Sequence, residues 1–155
     1  MSEPRWLSEE EAQRWLEIRE FLWGFPSAMD RQLARDAEMS SGEYSVLAAV
    51  SQAAPQALRS GDLAAQLNWE RSRVSHLLRR MEAKGLISRC ASSCDGRGQD
   101  ITLSEAGWET VRSAAPGHVN FVRETIFDSL SPTEQEQFSA MLNKIRAAVV
   151  ERDLW

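Results

Sequence analysis

The stretch that decides the fold is SGDLAAQLNWERSRVSHLLRRMEAKGLISR, which spans Ser60–Arg89. It holds a short apolar segment, a polar junction at Asn68, and a longer segment with apolar residues at helical spacing. We predict a short helix capped at Ser60, then a helix over 69–84 that is capped at Asn68 and ended by Gly85. Two helices joined so tightly form a helix-turn-helix.

The helix predicted over 69–84 has two different faces, because successive residues are about 100° apart around its axis. Val74, Leu77, Leu78 and Met81 share the face that we expect to be buried. The opposite face carries hydroxyl, imidazole and guanidinium groups, which suit the major groove of DNA. Small side chains allow close approach, hydrogen-bond donors and acceptors read base edges, and arginines bind phosphates. The predicted DNA-contacting residues are Ser60, Arg71, Ser72, Arg73, Ser75, His76, Arg79 and Arg80, with Arg73 or Arg79 as the main base reader.

The charge distribution supports this prediction. The chain of 155 residues has a formal net charge of −5. Between Arg59 and Arg97, however, eight basic residues outnumber four acidic ones, a balance of +4, while the rest of the chain has ten basic and nineteen acidic residues, or −9. Local potential governs docking onto a polyanion more than total charge does. The alternative is a solvated basic surface without a ligand.

The flanking segments are predicted to be helical. Ser8 and Glu11 form a capping box, and an apolar stripe from Trp15 to Leu33 predicts one long helix over 8–37, bent at Pro26. This stripe is either core or the seam of a dimer. A second helix is predicted over 39–53, with residues 54–58 as a loop.

A hairpin and two further helices follow the basic helix. Two runs with β character lie within 86–103, and we predict that they pair as a wing, with Arg97 at its tip aimed into the minor groove by Asp95. A helix capped by Ser104 is then expected, interrupted at Pro116–Gly117. The last helix, 131–150, starts at another capping box. The predicted fold is mainly α with a small β-hairpin wing, and its winged helix-turn-helix core covers 40–104.

These motifs resemble the MarR family of bacterial transcription regulators. The resemblance lies in Leu63-Ala64, in the run Met81–Arg89 (MEAKGLISR), in Asp95 and Arg97 of the wing, and in LSEAG at 103–107. It covers essentially the whole chain, although Gly96 stands where many relatives have a second wing arginine.

The resemblance implies a function as well as a fold. It implies a homodimer built from helices within 8–37 and 105–150, with two recognition helices in consecutive major grooves of a pseudo-palindromic operator in double-stranded DNA. It also implies repression of nearby genes that is relieved by a small, often aromatic ligand. The candidate residues for such a ligand pocket are Trp15, Trp23, Tyr44 and His118, each of which has a core, surface or interface role as its alternative.

Other functions are less well supported by the residues. Cys90 and Cys94 in the wing allow a thiol-based redox sensor, but a metal site lacks further ligands nearby. The sequence has no enzyme motif, so we expect neither catalysis nor a cofactor. It also has no signal sequence and no membrane-spanning run, so we expect a cytoplasmic protein. A winged-helix module that binds protein instead of DNA remains an alternative.

Overall fold

The computed structural model of the protein describes residues 4–91 and 98–154. It confirms a mainly helical fold with a small antiparallel sheet. The described residues form, in chain order, α1 (Glu9–Ala37), α2 (Ser41–Gln52), β1 (Ala57–Arg59), α3 (Ser60–Leu67), α4 (Arg71–Ala83), β2 (Ile87–Ala91), β3 (Gln99–Leu103), α5 (Glu105–Val122) and α6 (Pro132–Val150).

Capping boxes start three of the helices. In α1, α2 and α6 the serine hydroxyl before the helix accepts a hydrogen bond from the backbone N–H of the third helical residue. That third residue is a glutamate, and its carboxylate accepts a hydrogen bond from the backbone N–H of the serine. The capping residues are Ser8, Ser40 and Ser131. The predicted starts of the first and last helices are therefore confirmed, and α1 continues as one helix through Pro26.

The junction between α3 and α4 differs from the prediction. Asn68 does not cap α4; it ends α3 in the left-handed conformation, with φ 50°. The N–H groups of Asn68 and Trp69 donate to the carbonyls of Ala65 and Ala64, at 3.1 and 2.9 Å. Asparagine tolerates this conformation better than most residues, so it serves here as a helix stop. Consequently α4 begins only at Arg71, and Ser60 is the first residue of α3 and not its cap.

The sheet contains a strand that the sequence did not reveal. Two of the three residues of β1, Ala57 and Leu58, were expected to belong to a loop. The strand order is β1-β3-β2, antiparallel throughout. Leu58 is paired with Ile101, whose side chain is fully buried. A three-residue strand is too short to show alternation, and its pairing with β3 depends on the tertiary fold.

Pro116 does not interrupt α5, contrary to the prediction. The helix runs unbroken from Glu105 to Val122 and continues into a π-helical turn, Arg123–Phe127, where the N–H of Asp128 donates to the carbonyl of Arg123 at 2.7 Å. A proline removes only one helical hydrogen bond. Packing of α5 against α1 and α2 maintains the helix across this gap.

A single core joins the helix-turn-helix to the sheet and to the C-terminal half of α1. The fully or nearly fully buried hydrophobic residues are Leu33, Met39, Val46, Leu47, Ala49, Val50, Leu63, Ala64, Val74, Leu77, Leu78, Met81, Ile87, Ile101, Val111 and Ala114. None of them lies in the N-terminal half of α1 or in α6. Among the described residues, no helix has the length and apolar character needed to cross a membrane.

Candidate nucleic-acid interface

Helix α4 has the two faces that its sequence predicts. The prediction of a buried face is confirmed: Val74, Leu77, Leu78 and Met81 are each at most 8% exposed. All seven of its predicted DNA-contacting residues are exposed: Arg71, Ser72, Arg73, Ser75, His76, Arg79 and Arg80. The apolar face fixes the helix to the core, and the polar face is left available to a ligand.

Among the arginines of α4, Arg73 lies against an aromatic ring. The guanidinium carbon of Arg73 lies 4.1 Å from the centre of the Trp69 ring, a cation–π contact. Trp69 is half-buried and packs against the core. Sequence reasoning gave Trp69 no role, although its spacing of four residues from Arg73 was the available signal.

A crevice of about 420 Å³ lies beside α4, at the start of α3 and next to Gly98, the residue that precedes β3 in the wing. Three of the predicted DNA-contacting residues, Ser60, Arg71 and Ser75, line it together. Its other lining residues are Arg59, Gly61, Asp62, Val74 and Gly98. The structure thus brings hydroxyl groups and guanidinium groups to one concave surface next to the exposed face of α4.

The turn after α4 is held by its own backbone hydrogen bonds and by Ser104, the residue that caps α5. Gly85 adopts φ +73°, and the N–H groups of Gly85 and Leu86 donate to the carbonyls of Glu82 and Met81, as in a Schellman motif. The Ser104 hydroxyl donates to the carbonyl of Gly85 at 2.6 Å. Gly85 therefore ends the helix in the left-handed conformation, as predicted, and α5 holds the turn from the other side.

Two of the basic residues near α4 are engaged inside the protein. Arg89 of β2 donates from Nε to the Glu82 carboxylate at 2.9 Å, and the guanidinium keeps the pKa of Glu82 below its ordinary value. Lys84 donates from Nζ to the carboxylate of Glu43 at 2.5 Å. Both pairs tie the C-terminal end of α4 to its neighbours, the wing and α2, and neither cation belongs to the exposed polar face.

Glu43 is a buried carboxylate, only 2% exposed. Burial raises its pKa, but the Lys84 ammonium and the N–H of Ser40 outweigh burial, so that the pKa of Glu43 lies below its ordinary value. Because the pKa of Glu43 is lower in the folded than in the unfolded protein, its ionised form stabilises the fold at pH values above its ordinary pKa. This stabilisation is lost as the pH falls through the pKa of Glu43 in the folded protein.

Replacing Lys84 by methionine is expected to lower the free energy of unfolding at pH 7 by about 1–2 kcal/mol, because the buried carboxylate loses its charged partner. Without Lys84, burial dominates and Glu43 is protonated more readily. The difference from the wild type should therefore shrink as the pH is lowered towards 4. Urea unfolding at both pH values measures this, with the exposed Lys144→Met on α6 as control. A deficit that is equal at both pH values would contradict this role of the pair.

The predicted wing contacts, Asp95 and Arg97, lie outside the described residues, as does Cys94. Cys90 is exposed on β2, opposite Asp100 of β3. Within 4–91 and 98–154, no three His, Cys, Asp or Glu side chains are grouped so as to hold a metal ion.

A cleft of about 240 Å³ lies among α1, α2, α5 and the end of α3. Two of the four predicted ligand-pocket residues, Tyr44 and His118, line it, with their ring centres 4.5 Å apart. Burial raises the pKa of Tyr44 and lowers that of His118. Trp15 and Trp23 do not line it; they lie farther along α1, 46% and 67% exposed.

The wall of this cleft continues into a buried polar contact that sequence reasoning missed. Gln32 of α1 is 5% exposed; its Oε1 is 3.4 Å from His118 Nδ1, and its Nε2 donates to Asp36 at 2.9 Å. Hydrogen bonds from Arg35 and Gln32 lower the pKa of Asp36 to about 2. The side chain of His118 is thus linked directly to α1, the helix that carries the exposed apolar residues.

A basic helix with one buried face, a short helix before it and a hairpin after it together define a winged helix-turn-helix protein. A family model described as the MarR family matches residues 38–98. A comparison with curated proteins gives no match.

Solved structures extend the likeness to nearly the whole chain. Sco3205, a MarR family transcriptional regulator from Streptomyces coelicolor in complex with DNA, is 35% identical with a TM-score of 0.89, over 94% of this chain and 92% of that one. AbsC, a MarR family transcriptional regulator from the same organism, is 29% identical with a TM-score of 0.89, over 96% and 99%. S. aureus MepR, in a DNA complex, is 25% identical with a TM-score of 0.78, over 86% and 96%. The chain belongs to the MarR family of transcriptional regulators.

Proposed function

We propose that the protein is a homodimeric, sequence-specific DNA-binding repressor of nearby genes, acting in the bacterial cytoplasm and released by a small aromatic molecule. The observation that carries this proposal is the exposed polar face of α4, whose opposite face is buried in the core. A helix fastened in this way presents its polar side chains as a rigid surface to a groove. Two relatives, Sco3205 and MepR, were solved with DNA, which supports the same use here.

In this proposal α4 is the recognition helix. Ser72, His76 and Arg79 lie nearest the centre of the exposed face, opposite the buried residues, and they contact base edges. Ser60, Arg71 and Ser75 line the crevice beside the wing, where hydroxyl and guanidinium groups suit a backbone phosphate. Arg80 contacts phosphates at the border of the face. In the wing, Arg97 enters the minor groove and Asp95 orients it.

Exposed apolar side chains support the homodimer. They are concentrated in the N-terminal half of α1, at the end of α5 with the following turn, and in α6, and every described residue of α6 is at least partly exposed. The large ones are Trp6, Leu7, Trp15, Leu16, Ile18, Phe21, Leu22, Trp23, Val119, Phe127, Met141, Leu142, Ile145, Val150 and Leu154. An apolar surface of this extent is unusual for a monomer and typical of an interface. The helices within 8–37 and 105–150 are therefore the proposed dimerisation helices.

The cleft beside Tyr44 and His118 is the proposed effector site. Its volume of about 240 Å³ is below the usual range for drug-sized ligands, so it suits a small molecule. The two neighbouring rings offer an aromatic contact, and His118 offers a polar one. Trp15 and Trp23 are too far along α1 to line this cleft, and their exposure fits the dimer surface instead.

Binding of the purified protein to duplex DNA tests this proposal. Fluorescence anisotropy with labelled fragments of the DNA upstream of its own gene should show binding at low salt, and one fragment should bind far more tightly than a shuffled duplex. Affinity should fall steeply as salt rises, because phosphate contacts release counterions. Absence of binding to every fragment at low salt would contradict the proposal and favour a module that binds protein.

A further inference from the structure

We propose that Trp69 is a positioning residue for DNA binding: its ring holds Arg73 for contact with a backbone phosphate, so that Arg73 contributes affinity and leaves sequence reading to Ser72, His76 and Arg79. This inference rests on the proposed function. It assigns a role to a side chain in the turn before α4 and divides the arginines of α4 into two kinds.

Trp69 is fixed in place by the turn between α3 and α4. Its N–H donates to the carbonyl of Ala64 at 2.9 Å, beyond the left-handed Asn68. Its ring reaches the first turn of α2, where a Cβ built on Gly42 would lie 3.6 Å from Cη2 of Trp69. The ring is therefore a half-buried, rigid platform and not a freely rotating surface side chain.

Arg73 lies on this platform. Its guanidinium carbon is 4.1 Å from the ring centre. A guanidinium stacked on an aromatic face keeps its N–H groups at the edge of the plane, where they can bind a phosphate. Holding the side chain in advance reduces the conformational entropy that DNA binding would otherwise cost.

The position of Arg73 around α4 also separates it from the base-reading residues. At about 100° per residue, Arg73 is only about 40° from the buried Leu77 but about 120° from Arg79. It faces the corner where α1 meets α2. There the carboxylate of Asp30 accepts the N–H of Ser41 at 2.8 Å. Arg73 therefore lies at the border of the exposed face, where the DNA backbone would pass.

The electrostatics of Asp30 agree with this placement. Hydrogen bonds from Ser41 lower the pKa of Asp30, burial raises it slightly, and the Arg73 guanidinium lowers it further. The charge of Arg73 therefore acts on a carboxylate of α1. Together with the contact between Arg73 and the Trp69 ring, this places the guanidinium beside the turn before α4 and away from the centre of the exposed face.

A double-mutant cycle tests the proposal. The probes are a duplex selected from a randomised pool with the wild-type protein and a shuffled duplex of the same composition. Arg73→Ala should weaken binding to both duplexes by the same factor and reduce the slope of log affinity against log salt by about 1. Trp69→Leu should weaken both by about two- to fivefold, because the cation–π contact is lost. Arg79→Ala, the matched control, should instead reduce the ratio of the two affinities.

The combined variant separates positioning from structure. Trp69→Leu with Arg73→Ala should bind no more weakly than Arg73→Ala alone, since the ring acts only through the arginine. Trp69→Phe, which keeps an aromatic face, should bind within about twofold of the wild type. The inference would be overturned, with DNA binding by the wild type intact, if the losses of affinity in the two single variants added up in the double variant. It would also be overturned if Arg73→Ala changed the ratio of the affinities for the selected and the shuffled duplex. Failure of the wild type to bind any duplex would instead overturn the proposed function, and this inference with it.

Discussion

Gly107→Ala is expected to lower the free energy of unfolding by about 2–3 kcal/mol, because the added methyl group has no room. A Cβ on Gly107 would lie far inside van der Waals contact with the carbonyl oxygen of Leu86 and 3.1 Å from its carbonyl carbon. That oxygen cannot move away freely, because it accepts the N–H of Ser104 at 3.1 Å. The substitution would therefore force α5 away from the turn that follows α4.

The measurement is urea or thermal unfolding at fixed protein concentration, since a dimer's stability depends on concentration. A loss of this size corresponds to a fall in Tm of roughly 4–12 °C for a domain of this length. Gly61→Ala is the matched control: nothing lies within 4 Å of the point that its added Cβ would occupy, and alanine favours a helix, so stability should change little or rise by up to about 1 kcal/mol. Equal stability of both variants would contradict the close packing inferred at Gly107.

Leu142→Asp combined with Ile145→Asp is expected to dissociate the proposed dimer, raising its Kd by about a hundredfold or more. These side chains are 50% and 61% exposed in the single chain, three residues apart on one face of α6. In an interface with twofold symmetry each substitution acts twice, once from each subunit. Burying two carboxylates in an apolar seam adds a desolvation cost.

Sedimentation velocity over a range of concentrations measures the dissociation. Asn143→Asp with Ala147→Asp is the matched control, because it adds two aspartates to the same helix on the opposite face. The control should remain dimeric, and far-ultraviolet circular dichroism should show both variants folded. A dimer that persists unchanged in Leu142→Asp with Ile145→Asp would exclude this face of α6 from the interface.

Features with short-range causes could be predicted from the sequence. The capping boxes at Ser8 and Ser131 depend only on residues three positions apart, and Gly85 ends α4 because a left-handed residue is required there. The buried and exposed faces of α4 follow from its apolar spacing alone. These local signals were enough to predict the winged helix-turn-helix and the order of its flanking helices, and the family resemblance added the expectation that those flanking helices form a dimer.

Features that depend on tertiary contacts could not be predicted. β1 exists only because β3 pairs with it, and α5 passes through Pro116 because its packing against α1 and α2 compensates for one missing hydrogen bond. Asn68 was ambiguous, since asparagine both starts helices as a cap and ends them in the left-handed conformation. At that junction the carbonyls of α3 accept hydrogen bonds from the backbone N–H groups of Asn68 and Trp69. These bonds make Asn68 the end of α3 and not the start of α4.

The exposure of the candidate side chains on α4 could be predicted from the sequence, but the contacts that these and the neighbouring charged side chains make inside the protein could not. Counting charges cannot show that Lys84 and Arg89 are engaged with Glu43 and Glu82, or that Arg73 lies over a tryptophan ring. The two ion pairs join side chains of different elements that the fold brings together, whereas the contact of Arg73 with Trp69 is local and had a sequence signal in its spacing of four residues. For the ligand cleft, aromatic residue type suggested four candidates, of which the fold brings only Tyr44 and His118 together.

The most direct test of the central claim is the affinity of the triple variant Arg73→Ala, Arg79→Ala and Arg97→Ala for a duplex selected by the wild-type protein. The proposal predicts that specific binding is lost, because a base reader (Arg79), a backbone contact (Arg73) and a minor-groove contact (Arg97) are removed together, while the variant stays folded and dimeric. Anisotropy titrations at one fixed salt concentration would measure it beside the wild type. Undiminished affinity of the triple variant for the selected duplex would contradict the assignment of α4 and the wing as the DNA-binding surface.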